Sequence, residues 1–511
     1  MKHQLQSEFW AVLPWKRFRQ NLFRLQKRVW KAVREGDKAK AKNLQKLILR
    51  SRSAQFLAIR QVTQLNRGKK TAGIDGKKSL THRQRFELSR ELATHVFTWQ
   101  HQALREIPIP KKDGTKRLLK VPTMADRAWQ CLALSAIEPA HEATFHAQSY
   151  GFRPGRSAWD AQKMLFLKLK STSKGLDKTI LEVDIEKCFD RIEHDALLRL
   201  VIAPKPLKMG LRQCLKAGAS VEFPTQGTPQ GGVVSPVLAN IALHGVEHIG
   251  AYGTPSHRTF PCIRYADDMV FVLRPDQKAT DILAQLQAFL ATRGLNIKSS
   301  KTRIGAATDG FDFLGWHFYV QRNGKFRCVP SVDNFKTFRR KAKTIINSSN
   351  YNAQVKAQKL APLVRGWRNY HRYCRMNGSR FSLWHMAYKT FQVFNREPKQ
   401  NRYTARTLVN LAFPQVGYQE SRYINVAGDR SPFDDDVLYW SKRNSALYDG
   451  PTAKTLKKQQ HTCGHCSLAF VDGETVHLHH IDRNHHNWRS SNLLAVHESC
   501  HDLIHMRKAF A

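Results

Sequence analysis

With 511 residues, 41% of them apolar, and with 27 Phe, 13 Tyr and 11 Trp, the chain can build packed cores; general disorder is excluded and three or four domains are expected. Its 84 Lys and Arg against 40 Asp and Glu leave a formal charge of +44, spread along the length, which implies an extended surface for a polyanion. No apolar run reaches the roughly 18 residues of a membrane span and no signal peptide is legible, so a membrane is not an expected partner.

In chain order, residues 1–65 read as helical, with apolar positions at helical spacing through Leu22, Leu25, Val29 and Trp30, then Leu44, Leu47, Ile48 and Leu57. A Gly-containing turn at 71–76 leads to a helical stretch over 82–105, and Ile107 to Val121 reads as strand, Lys-Lys-Asp-Gly turn and strand. Between 180 and 320, β-rich runs (180–185, 262–265, 269–274, 311–320) mix with helical ones (194–201, 233–248, 279–293), which suits an α+β sheet with helices on one face. Residues 331–400 are helical, basic and aromatic, ending near Pro398; irregular sequence follows to about 458, where Lys457-Lys458-Gln459-Gln460 reads as a linker. The acids of Ser431–Asp436 read as a turn beside Pro432, solvated or capping a helix, in preference to a metal site.

Two segments place acids at the ends of β runs. Ile180–Ile185 alternates as a strand that projects Asp184 from its end, and Tyr265-Ala266-Asp267-Asp268 lies between two apolar β runs, as a hairpin tip would. Nucleotidyl transfer needs carboxylates that hold two Mg²⁺ about 4 Å apart, one at the attacking 3′-hydroxyl and one at the leaving pyrophosphate. The tetrad 265–268 resembles the signature of reverse transcriptases, Val183–Asp190 their other metal-binding segment, and Gly227–Pro236 the segment whose Gln, here Gln230, faces the incoming nucleotide. Ile109–Arg117 is similar to their fingers hairpin, which implies triphosphate contacts from Lys111 and Arg117; where the family has Pro and Gly after that Arg, this chain has Leu118 and Lys120. Ser149–Ser157, Gly294–Lys298 with Lys301, and Phe313–Trp316 resemble further motifs of the group II intron-encoded proteins. In that family an aromatic at the position of Phe189 lies under the sugar and excludes a 2′-hydroxyl.

Leu360–His371 resembles the maturase or thumb domain of the same family, where Arg365, Trp367, Arg368 and Tyr370 would contact RNA by phosphate pairing and stacking, while part of the stretch, Leu363 and Trp367 especially, reads as the apolar side of an amphipathic core helix. Of nine Cys, six (Cys131, Cys188, Cys214, Cys262, Cys328, Cys374) stand in apolar contexts, while Cys463, Cys466 and Cys500 cluster, which argues for a reducing compartment and a metal site. Cys463-x-x-Cys466 and His497-x-x-Cys500 could hold one structural Zn²⁺. Within that frame His479-His480, Asn492, His501 and His505 resemble an HNH ββα-metal nuclease; the resemblance implies His480 as general base, Asn492 as its orienting residue, and His479 and His501, with His505, as ligands of one divalent ion.

The resemblance implies a multidomain α+β protein: an N-terminal extension and fingers (1–106), reverse transcriptase fingers and palm of a right-hand polymerase (107–328), a helical thumb or maturase domain (329–405), a DNA-binding region and linker (406–458) and a small ββα-metal HNH zinc module (459–511). Its expected partners are group II intron RNA, target DNA and dNTPs. The expected location is a bacterial cytoplasm or nucleoid, or an organelle of bacterial descent.

Overall fold

The computed structural model describes residues 10, 12–110, 114, 116–376, 379–398, 400–445, 448, 450–470, 475–485 and 487–506. Three helices open it, α1 (Trp15–Arg34), α2 (Lys38–Arg50) and α3 (Arg52–Arg60). Asp37 caps α2 by accepting from the Lys40 N–H, and Ser51 caps α3 through Ala54. Their apolar faces, with Val29, Leu44, Ile48 and Ile59, share one core with the middle of the chain. Helix α4 (His82–His95) begins with a Thr81/Gln84 capping box. It stops at His95 instead of continuing to 105, because the chain turns to bury Trp99, whose indole donates to Asp126 at 2.9 Å.

Strands β1 (Arg105–Pro110) and β2 (Lys116–Val121) pair antiparallel from Arg105↔Val121 to Pro110↔Lys116, so Leu118 and Lys120 continue a regular ladder. After α5 (Met124–Glu142) and α6 (Ala158–Leu169) comes β3 (Thr179–Val183), then α7 (His194–Leu200), α8 (Lys205–Gly218) and α9 (Ser235–Leu243). Strands β4 (Cys262–Tyr265) and β5 (Asp268–Leu273), helix α10 (Ala279–Ala291) and β6 (Arg303–Ala306) complete a four-stranded antiparallel sheet in the order β4-β5-β3-β6. Period-two alternation sends Leu181, Val183, Met269 and Phe271 into the first core and Ile180, Val270 and Val272 into a second, which α6 also enters. Both faces of the sheet are therefore buried, where helices on one face were expected.

The expected β run 311–320 is a hairpin, since Leu314 and Gly315 both adopt positive φ and turn the chain between β7 (Phe311–Phe313) and β8 (Trp316–Val320), with β9 (Phe326–Pro330) completing a meander. Helices α11 (Val332–Ile346), α12 (Ala353–Tyr370), α13 (Trp384–Asn395) and α14 (Arg402–Ala412) pack around Phe338, Leu360, Val364 and Phe394. Helix α14 lies beyond the expected end at Pro398 because Asn401 caps a new helix through Thr404.

Residues 413–436 are irregular, as expected, but they are packed, and two helices follow up to 458. Helices α15 (Val437–Ser445) and α16 (Gly450–Lys458) form, and the segment before them is bolted to α6. Asp160, fully buried, accepts from Arg443 at 3.0 Å, the Tyr423 hydroxyl and the Val426 N–H. Arg156 donates to the Arg430 carbonyl at 3.0 Å, and a Cβ on Gly155 would collide with the Trp440 ring. As expected, the acids near Pro432 cap a helix: Asp436 accepts from the Tyr439 N–H. Gln459 is a clamp, accepting from Ala495 N–H and donating to its carbonyl at 2.8 and 2.9 Å. The chain ends in β10 (Val476–His480) paired antiparallel with β11 (Leu493–His497), followed by α17 (Glu498–Met506). Among the described residues, no helix is long and apolar enough to cross a membrane.

Candidate active site and metal centres

Register brings the polymerase carboxylates together. Val183 pairs with Met269, so Asp184, one residue past β3, lies beside Asp268 at the tip of the β4–β5 hairpin. Ala266 takes φ +58°, a left-handed turn that puts Asp267 in the hairpin tip and Asp268 at the first position of β5. Burial and then the charge of Asp184 hold Asp267 above the usual carboxylate range. Asp268 keeps an exposed edge, yet the packing behind it, then Asp267 and Asp184, push it up to about 6. Three carboxylates at one sheet end form a donor set that fits cations. Lys301 balances part of this charge, 3.0 Å from Asp184.

Sequence reasoning missed what holds this turn. Arg264, fully buried on β4, donates to Glu247 at 2.7 Å, Asn240 at 2.9 Å and the Ala266 carbonyl at 3.0 Å. Gly151 packs so closely beneath the turn that a Cβ there would strike the Ala266 backbone, and its carbonyl accepts from Asn240 at 2.8 Å. A cation inside an otherwise apolar strand, directly before the acidic tetrad, was the available signal.

The expected nucleotide-binding residues gather beside the carboxylates. The Arg117 guanidinium donates to the Gln230 side chain, which donates onward to Asp190 at 3.2 Å. Lys120 N–H donates to the Gln230 carbonyl, and a Cβ on Gly231 would press on the Lys120 carbonyl, so β2 and the Gln230 segment sit backbone to backbone. Phe189 is half-buried, with its ring edge-on to Phe152 at 6.4 Å and its carbonyl accepting from Thr228 N–H. Lys111 lies outside the described residues.

On α12 the expectation of an RNA face needs correction. Trp367 is buried, stacks on Phe338 at 4.7 Å and donates to Asn334; Arg368 is buried and donates to the Pro414 carbonyl at 2.7 Å and to Gln415. Tyr370 stacks flat on Trp316 at 4.5 Å and donates to the Leu314 carbonyl. The helix is amphipathic and these residues lie on its packed side; of the four, Arg365 points into solvent.

In the C-terminal module, Cys463, Cys466, His497 and Cys500 each bring one donor atom within 4.8 Å of the others. The knuckle is tied to β11 by Gly464 N–H donating to the Ala495 carbonyl, His497 ends that strand, and Cys500 follows in the first turn of α17. His497 Nδ1 lies 3.4 Å from the Cys466 sulfur. Three sulfurs and one imidazole in one cluster fit tetrahedral Zn²⁺.

A second cluster, His479, His501 and His505, meets the same 4.8 Å limit. His501 and His505 stand one helical turn apart on α17, with Nε2 atoms 3.3 Å apart, and burial and then His505 hold His501 below the ordinary imidazole range, as neutral ligands require. His480 and Asn492 meet through one carbonyl. Asn487 O accepts from His480 Nδ1 at 3.1 Å and from Asn492 Nδ2 at 2.9 Å, and Asn492 also ties Asp482. His477, unassigned from sequence, faces His501 with rings 5.3 Å apart; its spacing of two from His479 on a strand was the missed signal.

Three segments of the chain match known protein families. Residues 109–318 match the family described as reverse transcriptase (RNA-dependent DNA polymerase), residues 10–92 the N-terminal domain of reverse transcriptase, and residues 335–406 the group II intron, maturase-specific domain. Maturase-like protein 1 of Euglena gracilis is 36% identical over 412 residues, covering 80% of this chain and 87% of that one. The protein of the same name from Euglena longa is 32% identical, covering 78% and 86%. Group II intron-encoded protein LtrA of Lactococcus lactis subsp. cremoris is 28% identical over 298 residues, covering 45% of this chain and 49% of that protein.

Proposed function

The chain belongs to the group II intron reverse transcriptase and maturase family, and from that premise we propose a mobility enzyme that copies RNA into DNA, assists intron splicing and nicks target DNA with its C-terminal module. The observation that carries the polymerase reading is the convergence of Asp184, Asp267 and Asp268 at one end of the sheet. These acids would hold two Mg²⁺, whose chemistry is activation of the primer 3′-hydroxyl and neutralisation of the leaving pyrophosphate. Arg117 and Lys111 grip the triphosphate, Gln230 flanks the nucleotide, and the Phe189 ring crowds the sugar against a 2′-hydroxyl. Lys301 relieves charge at Asp184.

Support for the nuclease comes from the shared Asn487 carbonyl. With Nδ1–H donated there, His480 carries its lone pair on Nε2 and can take a proton from an attacking water, while Asn492 fixes the carbonyl that sets the ring. His479, His501 and His505 would hold one divalent ion that supplies charge at the scissile phosphate. Zn²⁺ at Cys463, Cys466, His497 and Cys500 would supply structure.

In mobility, intron RNA reverse-splices into one DNA strand, the module nicks the other, and the new 3′ end primes synthesis. The test compares two variants on a target duplex and on an annealed primer. His480→Ala should extend the annealed primer yet make no nick and no nick-primed product. Asp267→Asn should nick yet extend nothing. Nicking by His480→Ala would remove the nuclease assignment, and extension by Asp267→Asn would remove the polymerase one.

A further inference from the structure

With Trp367, Arg368 and Tyr370 packed inside, the aromatic surface that could meet RNA bases lies elsewhere in the helical bundle. On α13, Trp384 is 70% exposed and Tyr388 is 48% exposed. The two rings stack with planes 7° apart and centroids 5.6 Å apart. Their spacing of four puts them on one face, and exposed residues beside them include His385, Lys389, Gln392, Asn395 and Arg396. No acid occurs from Trp384 to Arg396. A separate buried stripe, with Leu383, Thr390 and Phe394, already supplies what the bundle core needs from this helix. Two large rings left in water are unfavourable for the isolated fold, and a cationic, acid-free border selects a polyanion to cover them.

We infer that this face of α13 is a stacking platform for an unpaired RNA strand, with Trp384 and Tyr388 receiving bases and Lys389 and Arg396 the adjacent phosphates. The inference rests on the reading of the chain as an RNA-binding maturase. A duplex hides its base faces, so an unpaired segment fits and a paired one does not. A second copy of the chain would bring its own +44 charge against this border.

The test titrates the full chain against a labelled twelve-nucleotide adenosine RNA, an abasic strand of equal length and charge, a DNA strand of the same sequence, and a blunt RNA hairpin. Trp384→Ala/Tyr388→Ala should weaken binding of the unpaired RNA by roughly tenfold or more, since stacking on each base is sequence-tolerant and substantial. Its slope of log affinity against log salt should match that of the unmodified chain, because no phosphate contact is lost. The abasic strand should bind both proteins equally, and Trp384→Phe/Tyr388→Phe should restore affinity for the RNA. Both rings lie at the surface, so the melting temperature should not move. If the unmodified chain binds the unpaired RNA and the double Ala variant binds it equally well, the platform is refuted while the maturase reading stands. If the unmodified chain binds none of the strands, both fall. Equal losses on the abasic strand or the hairpin, or tighter binding of the DNA than of the RNA, overturn the assignment to unpaired RNA bases.

Discussion

Replacing Arg264 with Met should disable the polymerase site without touching a metal ligand. Arg264 and Glu247 are both fully buried and joined at 2.7 Å. Burial alone would raise Glu247, but the Arg264 guanidinium outweighs it and brings the carboxyl from 4.5 down to about 2. That shift corresponds to about 3 kcal/mol at neutral pH. Because the folded value is depressed, this contribution is complete above the unfolded value of 4.5 and is lost as pH falls toward about 2. Arg264→Met leaves a buried, unpaired carboxylate and a free Ala266 carbonyl, a loss of about 3–5 kcal/mol. For a domain of this size that lowers the melting temperature on the order of 10 °C. Glu247 would then titrate upward, so the variant should melt lower as pH rises from about 5 to about 8, opposite to a salt-bridged protein. Thermal melts by circular dichroism and primer extension at a permissive temperature measure both effects, and Arg264→Met/Glu247→Gln should recover most of the melting temperature but little of the activity. Equal melts for the single and double variants would refute the reasoning, since the penalty would not come from the stranded charge.

Asp268, raised to about 6, binds a proton in competition with Mg²⁺, so the Mg²⁺ needed for half-maximal extension should rise as pH falls below about 6; a requirement flat from about pH 5 to about pH 8 would contradict this. The same raised value makes the metal-free fold lose stability as pH rises through about 4 to 6, and added Mg²⁺ should reverse the loss in a melt. Cys463→Ala should lose its zinc by atomic absorption and unfold the terminal module, seen as rapid proteolysis after about residue 459, with extension of a supplied primer retained. Arg443→Ala strands the buried Asp160 carboxylate and should cost about 3–5 kcal/mol, whereas Arg443→Ala/Asp160→Asn should lose less. Intron RNA affinity should fall steeply with salt, at about −0.7 per single-strand phosphate contact, and a flat response would mean that the +44 charge serves another purpose.

Features set by near neighbours in the chain were legible in the sequence. The β1–β2 hairpin, the turn at Ala266 to Asp268, the two Cys and His knuckle pairs and the helix pair His501 and His505 each depend on residues a few positions apart, so residue type and spacing determine the chemistry. Register then followed in part, because the alternation in Ile180–Ile185 dictates which side chains share a face. Other features depend on what packs against what. An amphipathic helix rich in Arg and Trp reads the same whether that face meets RNA or a neighbouring helix, and only the approach of α11 and of Pro414 assigned Trp367 and Arg368 to the interior. Arg264, Glu247 and Asn240 are 17 and 24 positions apart and become one support only when the helix before β4 folds onto the strand. The segment from Tyr423 to Arg443 reads as irregular because its composition is polar and broken by Gly and Pro, and its order comes from contacts with a distant helix and the residues just before it, the buried Asp160 carboxylate and Arg156 among them. Local chemistry is written in short-range pattern; which charges are buried, and therefore which ones position the site, is decided by contacts between elements that the linear order leaves unspecified.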